Sequence, residues 1–367
     1  MSTQYCIGLM SGTSLDGVDA ALADFTAGSP RTVATHFAPF DSDLRAELLA
    51  LQRPVENELE RAALAANRLM RAYAAGVTAV LGKANVDAGE IRAVGAHGQT
   101  VRHRPDLGYT LQLNNPALLA ELTGIAVVAD FRARDVAAGG QGAPLVPAFH
   151  RAVFGIPGRL RVIVNIGGIG NITVLNADDR VLGFDTGPGN VLMDLWIARH
   201  QGRAHDAEGA WAASGRVQAA LLAQMLTEPY FGLPSPKSTG RDLFNAEWLA
   251  RFAGDHAAAD MQATLCELTA TTIVDAIRRQ LGGHAGDAVE VFVCGGGAHN
   301  TTLRGRLAAL GAGWRWAATD ALGVAPDWVE AMAFAWLAHQ TLANAPGNLA
   351  SVTGAAGPRV LGALYPR

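Results

Sequence analysis

The sequence predicts an α/β protein built from two domains, and three observations carry this prediction. The chain has 367 residues, which is more than one hydrophobic core usually supports. Short apolar runs alternate with amphipathic segments, a pattern typical of a mostly parallel sheet covered by helices. Each half of the chain also begins with a predicted β-hairpin whose turn is rich in glycine. We therefore expect two domains of related structure with a ligand cleft between them.

The first half begins with a predicted hairpin and continues with a long helix. Residues 4–10 and 18–25 are apolar, strand-compatible runs separated by Ser-Gly-Thr-Ser-Leu-Asp-Gly, a segment of turn-forming residues. In residues 57–81 apolar side chains recur every three or four positions, which predicts an amphipathic helix that ends at Gly82. Two further strands are predicted at residues 91–95 and 125–129.

The second half repeats this opening. Its first three predicted strands are joined by the turns Gly-Gly-Ile-Gly and Asn-Ala-Asp-Asp, which are turn-forming sequences. A later strand ends in three consecutive glycines. The predicted strands are residues 160–166, 171–175, 180–184 and 289–293, and the predicted helices are residues 191–200, 216–226, 263–281 and 329–342.

The break between the halves is predicted at Gly-Gly-Gln-Gly-Ala-Pro, within residues 139–147. This sequence cannot hold a helix or a central strand. We place residues 1–141, joined by a C-terminal segment from about residue 343 to 367, in an N-terminal lobe. Residues 142–342 form the C-terminal lobe.

Composition excludes several classes of function. The net charge is -4, and no stretch gathers the basic residues that nucleic-acid binding needs. Cys6, Cys266 and Cys294 are widely spaced within apolar sequence, so neither a disulfide framework nor a metal knuckle is indicated, and a reducing cytosol fits. The sequence shows no targeting segment and no membrane-spanning run. We expect a cytoplasmic protein with no nucleic acid and no membrane as partner.

Three glycine-rich turns follow predicted strands, at residues 11–17, 167–170 and 295–297. Without a Cβ atom the backbone approaches an anion closely and presents several N–H donors. One such turn alone indicates only a positive φ. Three in the order hairpin turn, hairpin turn, strand-to-helix turn are the layout of the actin-like ATPase and sugar kinase superfold, whereas the turns match neither the dinucleotide nor the P-loop motif. We predict two actin-like, ribonuclease H-like lobes with ATP and a sugar in the cleft between them.

Eight segments of the chain resemble anhydro-N-acetylmuramic acid kinases, in that family's order and across nearly the whole chain. The first is Gly-Leu-Met-Ser-Gly-Thr-Ser-Leu-Asp-Gly-Val-Asp, and the second is Ala-His-Gly-Gln-Thr-Val-Arg-His. The segments are residues 8–19, 96–103, 141–147, 165–173, 184–190, 236–242, 294–300 and 326–330.

The resemblance implies an ATP-dependent kinase that works in cell-wall recycling. ATP phosphorylates the six-position oxygen of 1,6-anhydro-N-acetylmuramic acid while water opens the anhydro bridge, which gives N-acetylmuramic acid 6-phosphate. Such a reaction needs a base for water and a cradle of donors with Mg²⁺ for the phosphoryl group. The family also suggests a homodimer. A kinase of another hexose or amino sugar on the same fold is the alternative, and an ATP-driven switch without a sugar substrate is a third hypothesis.

The predicted catalytic base is Asp185, which follows a predicted strand immediately before Thr-Gly-Pro-Gly. A carboxylate there projects from a rigid element, although an N-cap or turn carboxylate is an equal interpretation of the residue alone. The resemblance assigns it the catalytic role. The residues predicted to bind ATP, with the third glycine turn on the adenosine side, are Gly12, Thr13, Ser14, Leu15, Asp16, Gly17, Val18, Asp19, Gly167, Gly168, Gly295, Gly296 and Gly297.

Either Asp16 or Asp19 is expected to hold Mg²⁺ or its water ligands. Many superfold relatives carry an acidic residue in the first strand, where this chain has Met10, so the choice between the two stays open. Lys237 stands in the loop sequence Ser-Pro-Lys-Ser-Thr-Gly-Arg. Both a solvated lysine and a contact to nucleotide or sugar are open interpretations of it.

The family pattern suggests Gln99, Thr100, Arg134 and Glu330 for binding the sugar. An arginine suits the lactyl carboxylate, which it binds through two hydrogen bonds. Pairing of Arg134 with a neighbouring aspartate, Asp130 or Asp135, is the other interpretation, and Glu330 at a helix start fits the helix dipole. No zinc site is predicted, because His97, His103 and His299 lack metal-site spacing.

Overall fold

The chain folds into two mixed β-sheets with helices packed against them. The structure is a computed structural model that describes residues 4–12, 15–252, 254–281 and 289–367. The described part divides into two compact units, Met1–Phe154 with Trp328–Arg367, and Gly155–Asp327. The predicted lobe boundaries at residues 141/142 and 342/343 remain a prediction. Elements are numbered along the whole chain.

The first unit contains a sheet of strand order β13-β7-β4-β1-β2-β3 and a separate hairpin, β5-β6. Its strands are β1 (Tyr5–Met10), β2 (Gly17–Asp24), β3 (Arg31–Pro39), β4 (Ile91–Ala96), β5 (Gln99–Arg104), β6 (Tyr109–Leu113), β7 (Val127–Ala129) and β13 (Ala363–Tyr365). Its helices are α1 (Ser42–Ala50), α2 (Glu58–Ala84), α3 (Pro116–Thr123), α4 (Ala133–Ala137), α5 (Val146–Phe154), α13 (Val329–Leu342) and α14 (Ala350–Thr353).

The second unit contains a sheet of strand order β10-β9-β8-β11-β12. Its strands are β8 (Arg161–Ile166), β9 (Ile169–Leu175), β10 (Val181–Pro188), β11 (Glu290–Cys294) and β12 (Arg315–Ala318). Its helices are α6 (Val191–Gln201), α7 (Ala210–Ser214), α8 (Ala219–Met225), α9 (Pro229–Gly232), α10 (Ala246–Ala250), α11 (Ala258–Leu281) and α12 (Thr301–Leu310).

The two sheets share one topology. In each, the second strand runs antiparallel to the first and to the third, while the first, fourth and fifth strands are parallel. The sheet order by strand is therefore 3-2-1-4-5 in both units, and the first unit adds β13 at its edge. This is the ribonuclease H-like arrangement of the actin-like fold, so the predicted fold class and the predicted duplication are confirmed.

Two glycines set how α13 packs in the first unit. A Cβ atom at Gly8 would lie 1.8 Å from the carbonyl oxygen of Ala331, and one at Gly95 would lie 2.1 Å from that of Phe334. The helix backbone therefore rests directly on β1 and β4 because both strands carry glycine at the contact. Gly8 begins the first segment that carries the family resemblance, and its structural role is this packing, which fixes Glu330 at the helix start.

Most predicted elements are present, with shifted ends. The hairpin β1-β2, the strands β4 and β11, and α13 match their predictions closely. The prediction that α2 ends at Gly82 is wrong, because the helix continues to Ala84 and ends with Asn85 in the left-handed conformation. The prediction that β10 ends before Asp185 is also wrong. It extends to Pro188 because Gly187 and Pro188 pair with Gly170 and Ile169.

The hydrophobic core of each unit lies between sheet and helices. In the first unit, α2 covers one face of the sheet with Leu69, Tyr73 and Val77. In the second unit, α11 supplies a long buried stripe that includes Leu265 and Ile273. Of the helices in the described ranges, none has the length and apolar character that crossing a bilayer needs.

Candidate functional site

In each unit most of the candidate residues lie beside the carboxyl ends of the parallel strands, whereas Glu330 lies in the first turn of α13. In the second unit β8 ends at Ile166 and β11 at Cys294, directly before the two glycine turns. In the first unit β1 ends at Met10 and β4 at Ala96. Ligands of open α/β sheets bind outside these ends, at the point where strand order reverses. In each unit the topology therefore places these candidate residues beside the carboxyl ends of that unit's own parallel strands.

Asp185 lies in a polar row across the second sheet. In the strand register, Asp185 of β10 stands opposite Asn171 of β9, and Asn171 stands opposite Asn165 of β8. Side chains directly opposite in neighbouring strands share a face of the sheet. Phe184, the preceding residue, belongs to the core on the other face. The row therefore projects one carboxylate and two amides away from the core, and sequence reasoning did not single out the two asparagines.

The Asp185 side chain is partly buried and held by the loop after α9. Its Oδ2 accepts a hydrogen bond of 3.0 Å from the backbone N–H of Thr239. Burial raises the pKa of Asp185 to about 6, although the Thr239 bond and the nearby charge of Lys237 act to lower it. A carboxylate with a pKa near neutrality is a stronger base than an ordinary aspartate and still ionises at pH 7.

The two glycine turns of the second unit lie side by side because β8 and β11 are parallel neighbours. A Cβ atom at Gly295 would lie 2.4 Å from Asn165 Oδ1, and one at Gly297 would lie 2.4 Å from Ile166 Cγ2. These two glycines are needed for packing. A Cβ atom at Gly296 or Gly167 would have a single neighbour within 4 Å, at 3.9 and 3.8 Å respectively, so a small side chain would fit at these two positions.

The turn between β8 and β9 is shorter than predicted and consists of Gly167 and Gly168. The Gly167 carbonyl accepts a hydrogen bond of 2.8 Å from the N–H of Asn190, and the Gly168 carbonyl accepts from Gly189 and Val191 at 3.0 and 3.1 Å. Backbone N–H groups at the start of α6 thus form hydrogen bonds with both carbonyls of the turn. This fixes the turn's backbone for a ligand that approaches from the open side.

The predicted phosphate turn of the first unit is only partly described, since Thr13 and Ser14 lie outside the described residues. Leu15 has a positive φ of 54°, and its side chain packs in a small core cluster. Val18 is also buried, and Gly17 packs tightly against Phe37 and Ala38 of β3. Any contact of these three residues with a phosphate therefore comes from their backbone.

The structure distinguishes the two candidate Mg²⁺ carboxylates by position. Asp16 is exposed in the turn, whereas Asp19 lies on β2 and is partly buried. The Asp19 charge acts on Tyr73, whose hydroxyl forms a 2.9 Å hydrogen bond with Ser11 Oγ at the end of β1. Mg²⁺ binds through one or two carboxylates together with substrate phosphates. Asp19 pairs with Met10 at the carboxyl end of β1 and carries a carboxylate of the kind that such a site uses.

Gln99 and Thr100 open β5. The Gln99 side chain is 2% exposed, and its Nε2 donates to the Gly12 carbonyl at 3.3 Å. Within the described ranges its Oε1 accepts no hydrogen bond, which is costly for a buried amide oxygen. The Thr100 hydroxyl accepts from Gln112 Nε2 at 3.2 Å. Gln99 therefore joins the phosphate turn to β5 with one acceptor still available.

Arg132, which was not among the sequence-predicted sugar ligands, is a partly buried arginine of the first unit. Its Nε and Nη2 lie 3.1 and 2.9 Å from His97 Nε2, and its Nη1 donates to the Gly142 carbonyl at 2.8 Å. Burial lowers the pKa of Arg132 to about 10, and the neighbouring charges of Glu330 and Asp135 act to raise it. Burial also raises the pKa of Glu330, while Arg132 lowers it.

Arg134, the predicted sugar ligand, is exposed on α4. Asp135 does not pair with it, since its carboxylate accepts from Gly142 N, Asn348 Nδ2 and Thr353 Oγ1 at 2.8, 2.6 and 2.8 Å. The sequence Phe-Arg-Ala-Arg-Asp contains two arginines. The spacing of the two arginines alone does not indicate which side chain is directed into the protein, so the sequence marked the segment but not the residue.

The histidines of the motifs make structural contacts. Because an arginine only donates, His97 Nε2 accepts from Arg132 and the imidazole is neutral with its proton on Nδ1. Burial and the Arg132 charge hold the pKa of His97 well below its usual range. His103 Nδ1 lies 3.0 Å from Thr110 Oγ1, and His299 Nε2 lies 2.9 Å from the Asp327 carboxylate. No group of three metal-ligating side chains occurs among the residues described.

Comparison with known proteins identifies relatives along the whole chain. Residues 4–367 match the sequence model of the family described as "Anhydro-N-acetylmuramic acid kinase". Proteins of that name are 54% identical in Nitrosospira multiformis, over 100% of both chains, and 56% identical in Cupriavidus pinatubonensis, over 98% of both chains. A third, from Nitrosomonas europaea, is 54% identical over 99% of both chains.

Proposed function

This chain belongs to the anhydro-N-acetylmuramic acid kinase family, and we propose that it transfers the γ-phosphoryl group of ATP to oxygen 6 of 1,6-anhydro-N-acetylmuramic acid while water opens the anhydro bridge. The product is N-acetylmuramic acid 6-phosphate, which returns cell-wall sugar to metabolism. The enzyme is a phosphotransferase with an alcohol group as acceptor. The observation that carries the proposal beyond family membership is the carboxylate of Asp185. It is partly buried, its pKa is raised, and it lies in register with Asn165 near the carboxyl end of β8.

Asp185 is proposed as the general base for water. It takes a proton from the water whose oxygen attacks the anomeric carbon. The bond from that carbon to oxygen 6 then breaks, and its electron pair stays on oxygen 6. Oxygen 6 attacks the γ-phosphorus, and ADP leaves. One base thus serves both steps, because the bond broken at the anomeric carbon supplies the phosphoryl acceptor.

The glycine turns are proposed to bind the nucleotide. Gly167 and Gly296 are the uncrowded glycines of the second unit's turns, each with a single neighbour within 4 Å of a Cβ position, and backbone N–H groups of such turns can approach phosphate or ribose closely. The first-unit turn, residues 12–19, contributes its backbone, with Thr13 and Ser14 as proposed hydroxyl donors. Mg²⁺, which this reaction class uses with ATP, would neutralise charge on the phosphates, and Asp19 is the proposed carboxylate for it.

The sugar's polar groups are proposed to be recognised by Gln99, Thr100 and Glu330, together with an arginine. Arg132 is our choice for the lactyl carboxylate, and the sequence-predicted Arg134 is the alternative. Its guanidinium is desolvated, which strengthens a charge-assisted hydrogen bond, and His97 and Gly142 fix its orientation. A cytoplasmic location and a homodimer remain proposals from composition and family.

Substrate comparison tests this function directly. Purified protein is assayed for ADP release with ATP and Mg²⁺ plus 1,6-anhydro-N-acetylmuramic acid, N-acetylglucosamine or glucose, and Asp185→Asn serves as the control. We expect turnover with the anhydro sugar alone. Comparable kcat/KM for N-acetylglucosamine or glucose would instead establish a general hexose kinase and overturn the proposal.

A further inference from the structure

The loop of residues 237–239 encloses Asp185 from one side. The backbone N–H of Asp185 donates to the Lys237 carbonyl at 3.2 Å, and the N–H of Thr239 donates to Asp185 Oδ2 at 3.0 Å. From α9, the Tyr230 hydroxyl donates to the Asp185 carbonyl oxygen at 2.7 Å. Three hydrogen bonds thus fix both the backbone and one carboxylate oxygen of this residue, beyond the pairing of its own strand.

The Lys237 side chain ties this loop to α9. Its Nζ donates to the carbonyls of Tyr230 and Phe231 at 2.9 and 3.3 Å. The ammonium also lies 4.5 Å from the centre of the Tyr230 ring, a distance at which a cation is attracted to an aromatic face. Movement of the loop away from Asp185 would therefore break the contacts of the Lys237 ammonium with α9.

This lysine is not a solvated surface residue. Lysines are scarce in the chain, and the other one, Lys83, is exposed and donates to the Thr35 carbonyl at 2.8 Å. Lys237 is partly buried. Burial lowers its pKa, the nearby Arg279 lowers it further, and Asp185 raises it. Placing a lysine here costs desolvation, which a purely local loop anchor does not require.

The charged and titratable groups around the base are few. Lys237 and Tyr230 face Asp185 itself, and Arg279 of α11 lies behind Lys237 and bonds the Phe231 carbonyl. Asn171, the neighbour on β9, is uncharged. Among these groups Lys237 is the cation whose charge acts on the Asp185 carboxylate.

We propose that Lys237, with Tyr230, is a positioning residue for the base: its ammonium holds the loop on Asp185, so that Oδ2 is occupied by the Thr239 N–H and Oδ1 faces the attacking water. Oδ1 accepts no hydrogen bond within the described part of the chain. The positive charge also favours the ionised carboxylate that accepts the proton. The inference rests on the proposed function, in which Asp185 is the base.

The experiment measures kcat, KM for each substrate and the pH profile of kcat/KM for Lys237→Met, Lys237→Arg and the matched control Lys83→Met. For Lys237→Met we expect kcat to fall by about tenfold to a hundredfold through misplacement of the base. The acidic limb of the profile should move to higher pH by about one unit, because an opposite charge has been removed. KM for ATP should not change. Lys237→Arg should retain the wild-type limb, and Lys83→Met should match wild type throughout.

The outcomes separate this inference from the function beneath it. If Asp185→Asn keeps turnover, the base assignment fails whatever Lys237 does. If Asp185→Asn is inactive while Lys237→Met keeps the wild-type kcat and limb, the positioning role alone is overturned. A loss that follows only the unfolded fraction, with an unmoved limb, also overturns it. Should Lys237→Met not fold, Lys237→Gln keeps a donor without the charge, and an unmoved limb in that variant contradicts the proposal.

Discussion

The backbone N–H of Thr239 donates a hydrogen bond of 3.0 Å to Oδ2 of Asp185. The two residues are far apart in sequence, and the bond joins a loop to a strand that already sets the direction of the carboxylate. One oxygen is thereby bound to the protein, while the other is left for a ligand. The carboxylate of Asp185, the proposed general base, is therefore held in one orientation.

Replacing Asp185 by asparagine should remove general-base catalysis. We expect kcat to fall by about 10²- to 10⁴-fold, with the affinity for ATP unchanged by calorimetry, because the side chain keeps its size and loses its basicity. Asp194 on α6 is the matched control, since burial raises its pKa to about 7 although it has no role in the proposed chemistry. Asp194→Asn should keep turnover, and an inactive Asp194→Asn beside an active Asp185→Asn would reverse the assignment.

Activity should decline in acid because a protonated Asp185 cannot accept a proton from water. Its pKa is raised to about 6 by burial, so kcat/KM should decrease as the pH falls through about 6 and should become level about one pH unit above that value. The measurement is a pH profile of kcat/KM in buffers of constant ionic strength. An acidic limb at the ordinary aspartate pKa of 3.8 contradicts the burial argument.

The two arginines of the Phe-Arg-Ala-Arg-Asp segment should differ in their effect on the sugar. Arg132→Lys removes a planar donor pair from a fixed site, so KM for the anhydro sugar should rise by about 10- to 100-fold, as expected for lost charge-assisted hydrogen bonds. Arg134→Lys changes an exposed side chain and should leave both KM values unchanged. Steady-state kinetics with each substrate varied in turn distinguishes them. The opposite ranking would restore Arg134 as the sugar ligand.

Substitutions at Gly295 and Gly296, neighbours in the third glycine turn, should distinguish an effect on nucleotide binding from an effect on folding. Gly296→Ala adds a methyl group where the nearest atom is 3.9 Å away, so the protein should fold normally while KM for ATP rises by about tenfold through crowding of the nucleotide. Gly295 has a φ of 75° and contacts Asn165, so Gly295→Ala should lose about 1–3 kcal/mol of stability. Thermal unfolding and ATP kinetics check both. A normal KM in a folded Gly296→Ala variant would remove this turn from the nucleotide site.

Much of the fold was predictable because its signals are local. The first hairpin, the long helices and the strand that ends in glycines follow from runs of apolar residues and from turn sequences that lie within a few positions of each other. The repeated opening of the two halves also indicated the shared topology, which the strand order of both sheets confirms.

The rest depended on contacts between distant segments. The continuation of β10 past Asp185 comes from pairing with Ile169 and Gly170, and the need for glycine at position 8 comes from α13 near the other end of the chain. The orientation of the Arg132 side chain is set by its hydrogen bonds with His97 and Gly142. No local pattern encodes such partners, so the sequence did not indicate which of the two arginines contacts His97 or which loop holds Asp185.

In the proposed reaction, water attack at the anomeric carbon is coupled to phosphoryl transfer, and isotope labelling measures this coupling. The enzyme is incubated with ATP, Mg²⁺ and 1,6-anhydro-N-acetylmuramic acid in oxygen-18 water, and the phosphorylated product is analysed by mass spectrometry and phosphorus NMR. The proposed mechanism predicts one oxygen-18 atom at the anomeric hydroxyl and none in the bridge to phosphorus. A phosphorylated product without label at the anomeric position would contradict it.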